Sequence, residues 1–129
     1  MLHTMYDPKT LQKEIENPNI RYFIINQNQG FTSIEADYNK KQKHAKIHKI
    51  YILPDHQKKG LGQKTIQYLA KWADRRNQKS LILNVNKNNT AIRFYEKMGF
   101  VLWKSEVVDI GHGFVMDDYV LKKPLSTSL

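Results

Sequence analysis

The segment Pro54-Asp55-His56-Gln57-Lys58-Lys59-Gly60-Leu61-Gly62 joins an apolar strand to a helix and carries the clearest chemical signal in the chain. Gly60 and Gly62 let the main chain approach a ligand closely. The first N–H groups of the helix that follows have no partner within that helix, and its dipole favours negative charge in front of them. Lys58 and Lys59 add positive charge at the rim. A strand feeding such a loop is a site for phosphate or another anion. An ordinary strand-to-helix turn is the alternative, because glycines are common there too. The loop is not a Walker loop, which needs Gly-x-x-x-x-Gly-Lys followed by Ser or Thr. Nor does it carry the three spaced glycines of a dinucleotide fingerprint.

The elements around this loop can be read from period and punctuation. Asp7-Pro8 to about Glu16, with Leu11 and Ile15 four apart, predicts a short helix that Asn17-Pro18-Asn19 stops. Ile20 to Ile25 and Phe31 to Tyr38 read as strands joined by the turn Asn26 to Gly30. Ala45 to Leu53 alternates and then runs apolar, as a central strand does, until Pro54 closes it. From about Gly62 to Asn77 a helix is expected, buried along Ile66, Leu69, Ala70 and Ala73. Leu81 to Val85 is another buried strand. Thr90 to Met98 forms a second helix, with Ile92 and Tyr95 on one face and Gly99 placed for a left-handed cap. Strands at about Val101 to Ile110 and Phe114 to Leu121, joined by Gly111-His112-Gly113, end the chain as a hairpin. The order is mixed α/β and not a regular alternation of strands and helices.

Two segments together resemble the GNAT superfamily of acyl-CoA N-acyltransferases. Ile50-Tyr51-Ile52-Leu53-Pro54 through Gly62 is similar to the family's acyl-CoA signature, an apolar strand, Pro, then Gln/Arg-x-x-Gly-x-Gly/Ala. Asn89-Thr90-Ala91-Ile92-Arg93-Phe94-Tyr95-Glu96-Lys97-Met98-Gly99-Phe100 is similar to its second motif, in the right order downstream. The ending Asp109 to Tyr119 further resembles a subgroup that includes bacterial polyamine acetyltransferases, and Met5-Tyr6-Asp7-Pro8 is similar to a segment lying well inside those chains. The resemblance implies a mixed, mostly antiparallel central sheet with helices on both faces and a splayed cofactor cleft. It implies one acetyltransferase domain over residues 1–129, with acetyl-CoA as cosubstrate. GNAT domains usually begin with a strand and a helix that are not recognisable here. Loss of that cover would expose apolar surface, so self-association, as a homodimer, or lowered stability is expected.

Carried over by resemblance, main-chain groups near Tyr51 and Ile52 would hold the pantetheine and the thioester carbonyl. Lys59, Gly60, Leu61 and Gly62 would cradle the pyrophosphate, with Gln57 and Lys58 at its edge. Asn89 would hydrogen-bond the pantetheine arm, although Asn86 and Asn88 compete for that role and any of the three could simply cap the helix. Tyr95 stands where family members often place the general acid for the departing thiolate; the alternative is a tyrosine packed in the core. The acceptor amine must lose a proton, and His48 or Glu35 could take it, His48 having the more suitable ordinary pKa. Asp109, Asp117 and Asp118 could attract a cationic amine, or could simply be solvated.

Composition narrows the remaining classes. The chain has 129 residues, 40% of them hydrophobic, which suits one packed domain. It has no cysteine, so no disulfide framework or thiolate metal site, and no His/Asp/Glu cluster shows metal-ligand spacing. No apolar run is long enough to span a bilayer and no secretory signal pattern opens the chain, so a soluble, cytoplasmic protein without a membrane partner is expected. The charge of +9, from 21 Lys and Arg against 12 Asp and Glu, favours anionic partners. Nucleic acid is not expected, because no basic stripe interleaves with aromatics. The reading is an N-acetyltransferase acting on a small-molecule or peptide amine. A non-catalytic CoA-binding protein or a basic nucleic-acid-binding module are the competing classes.

Overall fold

The computed structural model describes residues 17–57 and 60–125. The helix expected between Asp7 and Glu16, the segment Met5–Pro8, and Lys58 and Lys59 lie outside the described residues. Six strands form one sheet: β1 (Ile20–Ile25), β2 (Gly30–Asn39), β3 (His44–Ile52), β4 (Ser80–Asn86), β5 (Val101–Gly111) and β6 (Phe114–Pro124). Their spatial order is β1-β2-β3-β4-β6-β5. Every neighbouring pair is antiparallel except β3 and β4. The fold is therefore mixed α/β with a mostly antiparallel sheet. A crossover must join the parallel pair, and it contains a 3-10 turn (Pro54–His56) and the helix α1 (Leu61–Asp74).

The parallel pair is short. His44, Ala45 and Lys46 pair with Ser80, Leu81 and Ile82, and the pairing stops there. β3 nevertheless continues to Ile52, paired with β2, while β4 continues to Asn86, paired with β6. Each strand follows its outer neighbour, so the sheet opens between them beyond the Lys46–Ile82 rung. Strand twist makes such a divergence easy once the shared ladder ends.

α1 forms because Ile66, Leu69 and Ala73 fall on one stripe and are wholly buried, with Leu61, Thr65 and Trp72 beside them. They pack on Ile34, Ala45, Ile47, Leu81, Leu83, Val85, Phe100 and Leu121 of the sheet. Truncating Leu69 to Ala would remove roughly 2–5 kcal/mol of stability from this cluster. The helix ends three residues earlier than its apolar pattern suggests. The main chain turns at Arg75–Asn77, and Asn77 takes a left-handed φ of 61°.

The short helix α2 (Ile92–Lys97) presses Ile92, Phe94 and Tyr95 onto the same cluster. Gly99, with φ of 98°, closes it, and Lys123 Nζ donates to the Met98 carbonyl at 2.7 Å. Both helices thus lie over one face of the sheet. Among the described residues no helix covers the other face, where the resemblance implied one. That other face carries Glu35, His44, Lys46, His48, Asn84, Trp103, Glu106 and Asp118 on neighbouring strands.

Candidate functional site

The opening between β3 and β4 leads directly to the N-terminus of α1. Antiparallel registry decides which main-chain groups of β3 face it. Leu53 N donates to Gln29 O at 2.8 Å, so Leu53 and, two residues back, Tyr51 turn their peptide groups toward β2. Ile50 and Ile52 consequently turn theirs toward the opening. Tyr51 is held against β2, its ring 5.8 Å from that of Phe31, while Ile52 presents its main chain to the cleft. Gln57 Nε2 donates to Ile52 O at 3.0 Å, leaving the Ile52 N–H as the outward group.

Gly60 stands at the N-cap of α1 with φ of 78°, a left-handed conformation that glycine adopts without strain. Open space lies where its Cβ would be. The first helical hydrogen bond runs from Lys64 N to Gly60 O at 3.1 Å, so the N–H groups of Leu61, Gly62 and Gln63 precede the helical ladder. Among the described residues no side chain caps this end. The two glycines therefore differ. A Cβ on Gly62 would lie 3.1 Å from Phe94 Cζ, so its small size lets α1 touch α2. Leu61 is buried as part of the apolar contact beneath the turn.

Phe94 links this end of α1 to Tyr95, since the two rings meet edge-on at 5.4 Å. Tyr95 also meets Phe100 edge-on at 5.6 Å and packs on the core. Burial raises its pKa above the ordinary value of 10.0, so the phenol keeps its proton at neutral pH. Asn89 precedes the same helix. Its Oδ1 accepts from Ala91 N at 2.8 Å, and Asn86 Oδ1 accepts from Asn88 N at 2.9 Å. Both asparagines shape the turn that starts α2, and Asn89 is exposed.

The two proton-acceptor candidates meet on the opposite face. His48 Nε2 and Glu35 Oε1 lie 2.9 Å apart, with Tyr38 edge-on to the imidazole at 5.9 Å. His48 is the first residue on that face of β3 beyond the Lys46–Ile82 rung. Asn84 is its counterpart on β4. The structure thus sets Tyr95 and the α1 terminus on one face, His48 and Glu35 on the other, and the opening between them. Of the three aspartates, Asp109 Oδ1 accepts from Gly111 N at 2.8 Å within the hairpin, and Asp117 pairs with Lys87 at 3.0 Å. Asp118 is buried, and its Oδ2 accepts from Asn84 Nδ2 at 3.3 Å. Asn84 and Glu106 carried no signal in the sequence, because only the registry of three strands brings them together; Phe94 stood within the second motif, but its contact with Gly62 depends on the helix crossing. Among the described residues no group of three His, Asp or Glu could hold a metal ion, and no helix is long and apolar enough to cross a membrane.

Residues 2–100 match the family model described as Acetyltransferase (GNAT) family. A Bacillus anthracis protein assigned as a streptothricin acetyltransferase, in complex with acetyl coenzyme A, shares 26% identity and superposes with a TM-score of 0.73; the match covers 89% of this chain and 68% of that one. The ribosomal-protein-S18-alanine N-acetyltransferase of Escherichia coli superposes with a TM-score of 0.76 at 23% identity, over 95% of this chain and 79% of that one. A spermidine/spermine N-acetyltransferase from Vibrio cholerae superposes with a TM-score of 0.69 at 22% identity, over 91% and 72%. At their level of identity the last two establish a shared fold.

Proposed function

The chain belongs to the GNAT acetyltransferase family, and we propose that it transfers an acetyl group from acetyl-CoA to a primary amine of a small molecule or peptide. The observation that carries this reading is the β3–β4 opening that leads into the uncapped, glycine-initiated end of α1. A long, bent ligand with an anionic middle and a narrow arm fits both features. The amides of Leu61, Gly62 and Gln63 face the diphosphate, and the open side of Gly60 lets it approach. The Ile52 N–H binds the amide-bearing arm, Tyr51 anchors that stretch of β3 to β2, and Gln57 holds the Ile52 carbonyl. The exposed Asn89 amide donates to the same arm.

Acetyl-CoA supplies the activated acyl carbon when bound. The chain's own residues then manage protons on the two faces. His48, oriented by Glu35, takes the proton that an ammonium acceptor must lose. Tyr95 keeps its proton at neutral pH and is the donor for a departing thiolate. A main-chain N–H of β3 at the opening stabilises negative charge developing on the carbonyl oxygen. We read residues 1–129 as one such domain.

The test is CoA release from acetyl-CoA across a panel of primary amines, alongside calorimetric titration with CoA. Binding together with release to at least one amine is expected. Binding without transfer to any amine would make the chain a CoA-binding protein that does no catalysis, and failure to bind CoA would remove the cofactor assignment altogether.

A further inference from the structure

On the face that carries His48, a recess of about 90 Å³ lies where β3, β4 and β5 meet, with Tyr38, His44, Lys46, Trp103, Lys104 and Glu106 in its walls. Lys46 precedes His48 by two residues on β3, so the two share a face about 7 Å apart along the strand. Tyr38 connects them, its ring edge-on to His48 at 5.9 Å and beneath Lys46 Nζ at 4.6 Å. The recess is thus a neighbour of the proposed base, and the mechanism above gives it no role.

The cations around this recess are held by rings more than by acids. Lys104 and Lys122 Nζ lie over Trp103 at 4.8 and 5.1 Å, and Lys46 lies over Tyr38. Among the described residues neither Lys46 nor Lys122 pairs with a carboxylate. An ammonium on a ring face keeps N–H groups free to donate elsewhere. Glu106 is the one carboxylate lining the recess, and it is already engaged. Its Oε1 accepts from Asn84 Nδ2 at 3.1 Å, and its Oε2 lies 4.0 Å from Lys104. His44 is 4% exposed, and its Nδ1 has no partner. With the ring proton on that nitrogen it is a donor, and a buried donor without an acceptor is costly. Burial first, then Lys122 and Lys104, lowers the pKa of this imidazole, so the charges that act on it are positive. Ammonium groups and an unmet buried donor together lack a compact anion.

We propose that this recess takes the carboxylate of an acceptor that carries both an amine and an acid, that is, a small amino acid. Lys46 and Lys104 are its charged partners, and His44 Nδ1 donates to it from the buried wall. A recess of roughly three waters' volume suits a carboxylate and little more. This rests on the acetyltransferase reading, with the reacting amine between His48 and the opening. A short carbon chain then spans the step along β3 from His48 to Lys46. The enzyme would select amines with a distal negative charge over equivalent monoamines, and would disfavour a second cation.

δ-Aminovalerate, pentylamine and diaminopentane share one chain length and differ in the distal group. For the wild type, δ-aminovalerate is expected to show the lowest KM and diaminopentane the highest. Lys46→Met and Lys104→Met keep an apolar stem over the ring and remove the charge. Each should raise the δ-aminovalerate KM about tenfold, so that its advantage over pentylamine is largely lost. Calorimetric titration of each protein with δ-aminovalerate should give the same ranking without any turnover. Equal KM changes for δ-aminovalerate and pentylamine, or a wild type that prefers diaminopentane or pentylamine, would overturn the site while leaving acetyl transfer intact. Calorimetric binding of δ-aminovalerate weakened by Lys46→Met, in a protein that acetylates no amine, would retain the site and dismiss the enzymatic reading.

Discussion

His48 and Glu35 meet across the β2–β3 pair, with Nε2 of one 2.9 Å from Oε1 of the other and their side chains only 18% and 16% exposed. A base held by a carboxylate acts as a unit, so its two members should not contribute independently. His48→Gln is expected to lower kcat by about a hundredfold or more with acetyl-CoA affinity unchanged. Glu35→Gln should have a smaller effect, and the double variant should be no worse than His48→Gln alone. Steady-state kinetics on the four proteins decides it, and additive losses would place the two residues in separate roles.

Gly60 allows conformation and charge to be separated. Gly60→Ala introduces a Cβ that meets nothing but must adopt a left-handed φ of 78°, at a cost of about 1–2 kcal/mol in urea unfolding. Its affinity for CoA should change little. Gly60→Glu carries the same conformational cost and sets a carboxylate before the α1 amides, so CoA titration should show at least about a tenfold loss. Equal CoA affinity in the two variants would show that the loop does not hold the anion.

Tyr95→Phe removes the proposed donor and leaves the ring contacts with Phe94 and Phe100. A fall in kcat with an unchanged KM for acetyl-CoA is expected. Because burial raises the phenol's pKa above 10.0, Tyr95 stays protonated in the folded state at pH values where the unfolded chain ionises. Its contribution to stability is thus complete below pH 10 and lost as pH rises further. The wild type should accordingly lose more stability than Tyr95→Phe above pH 10 in thermal melts.

His44 predicts the opposite sign. Its pKa is lowered by desolvation first and by Lys122 and Lys104 second. Below the ordinary value of 6.5 the unfolded chain takes up a proton that the folded chain resists. Stability should therefore be full above pH 6.5 and decline as the solution is acidified. His44→Gln should show a shallower decline of Tm between neutral pH and the onset of carboxylate titration.

Gln78, 2% exposed, braces the irregular end of β2 against the loop after α1. Its Nε2 donates to Asp37 Oδ1 at 2.9 Å and to Arg76 O at 3.0 Å, and its Oε1 accepts from Asp37 N at 2.9 Å. Removing all three in Gln78→Ala takes the partner from a part-buried peptide N–H and should cost about 1–2 kcal/mol in chemical denaturation. A loss within experimental error would show that water replaces the amide.

Local pattern was enough for most of the fold. Alternation, or a short apolar run between turn residues, identified all six strands to within a few residues, and the stripe Ile66–Leu69–Ala73 located α1 at the helical period. The Gly60 signal was also local, since a left-handed residue opening a helix needs only the chain's own geometry. Main-chain direction was not legible in this way. Whether Tyr51 or Ile52 turns its peptide toward the opening depends on the register with β2, which a hydrogen bond from Leu53 to Gln29 reveals.

By itself, then, the sequence determined the order of the elements, the apolar faces and the glycine-initiated end of α1, all consequences of spacing along one chain. Only the tertiary structure decided where β3 and β4 part, that Gly62 serves the contact with Phe94, that Glu35 and His48 touch, and that Asn84 gathers Glu106 and Asp118. Those relations join residues far apart in the chain, and they exist because six strands settle into one register over one core.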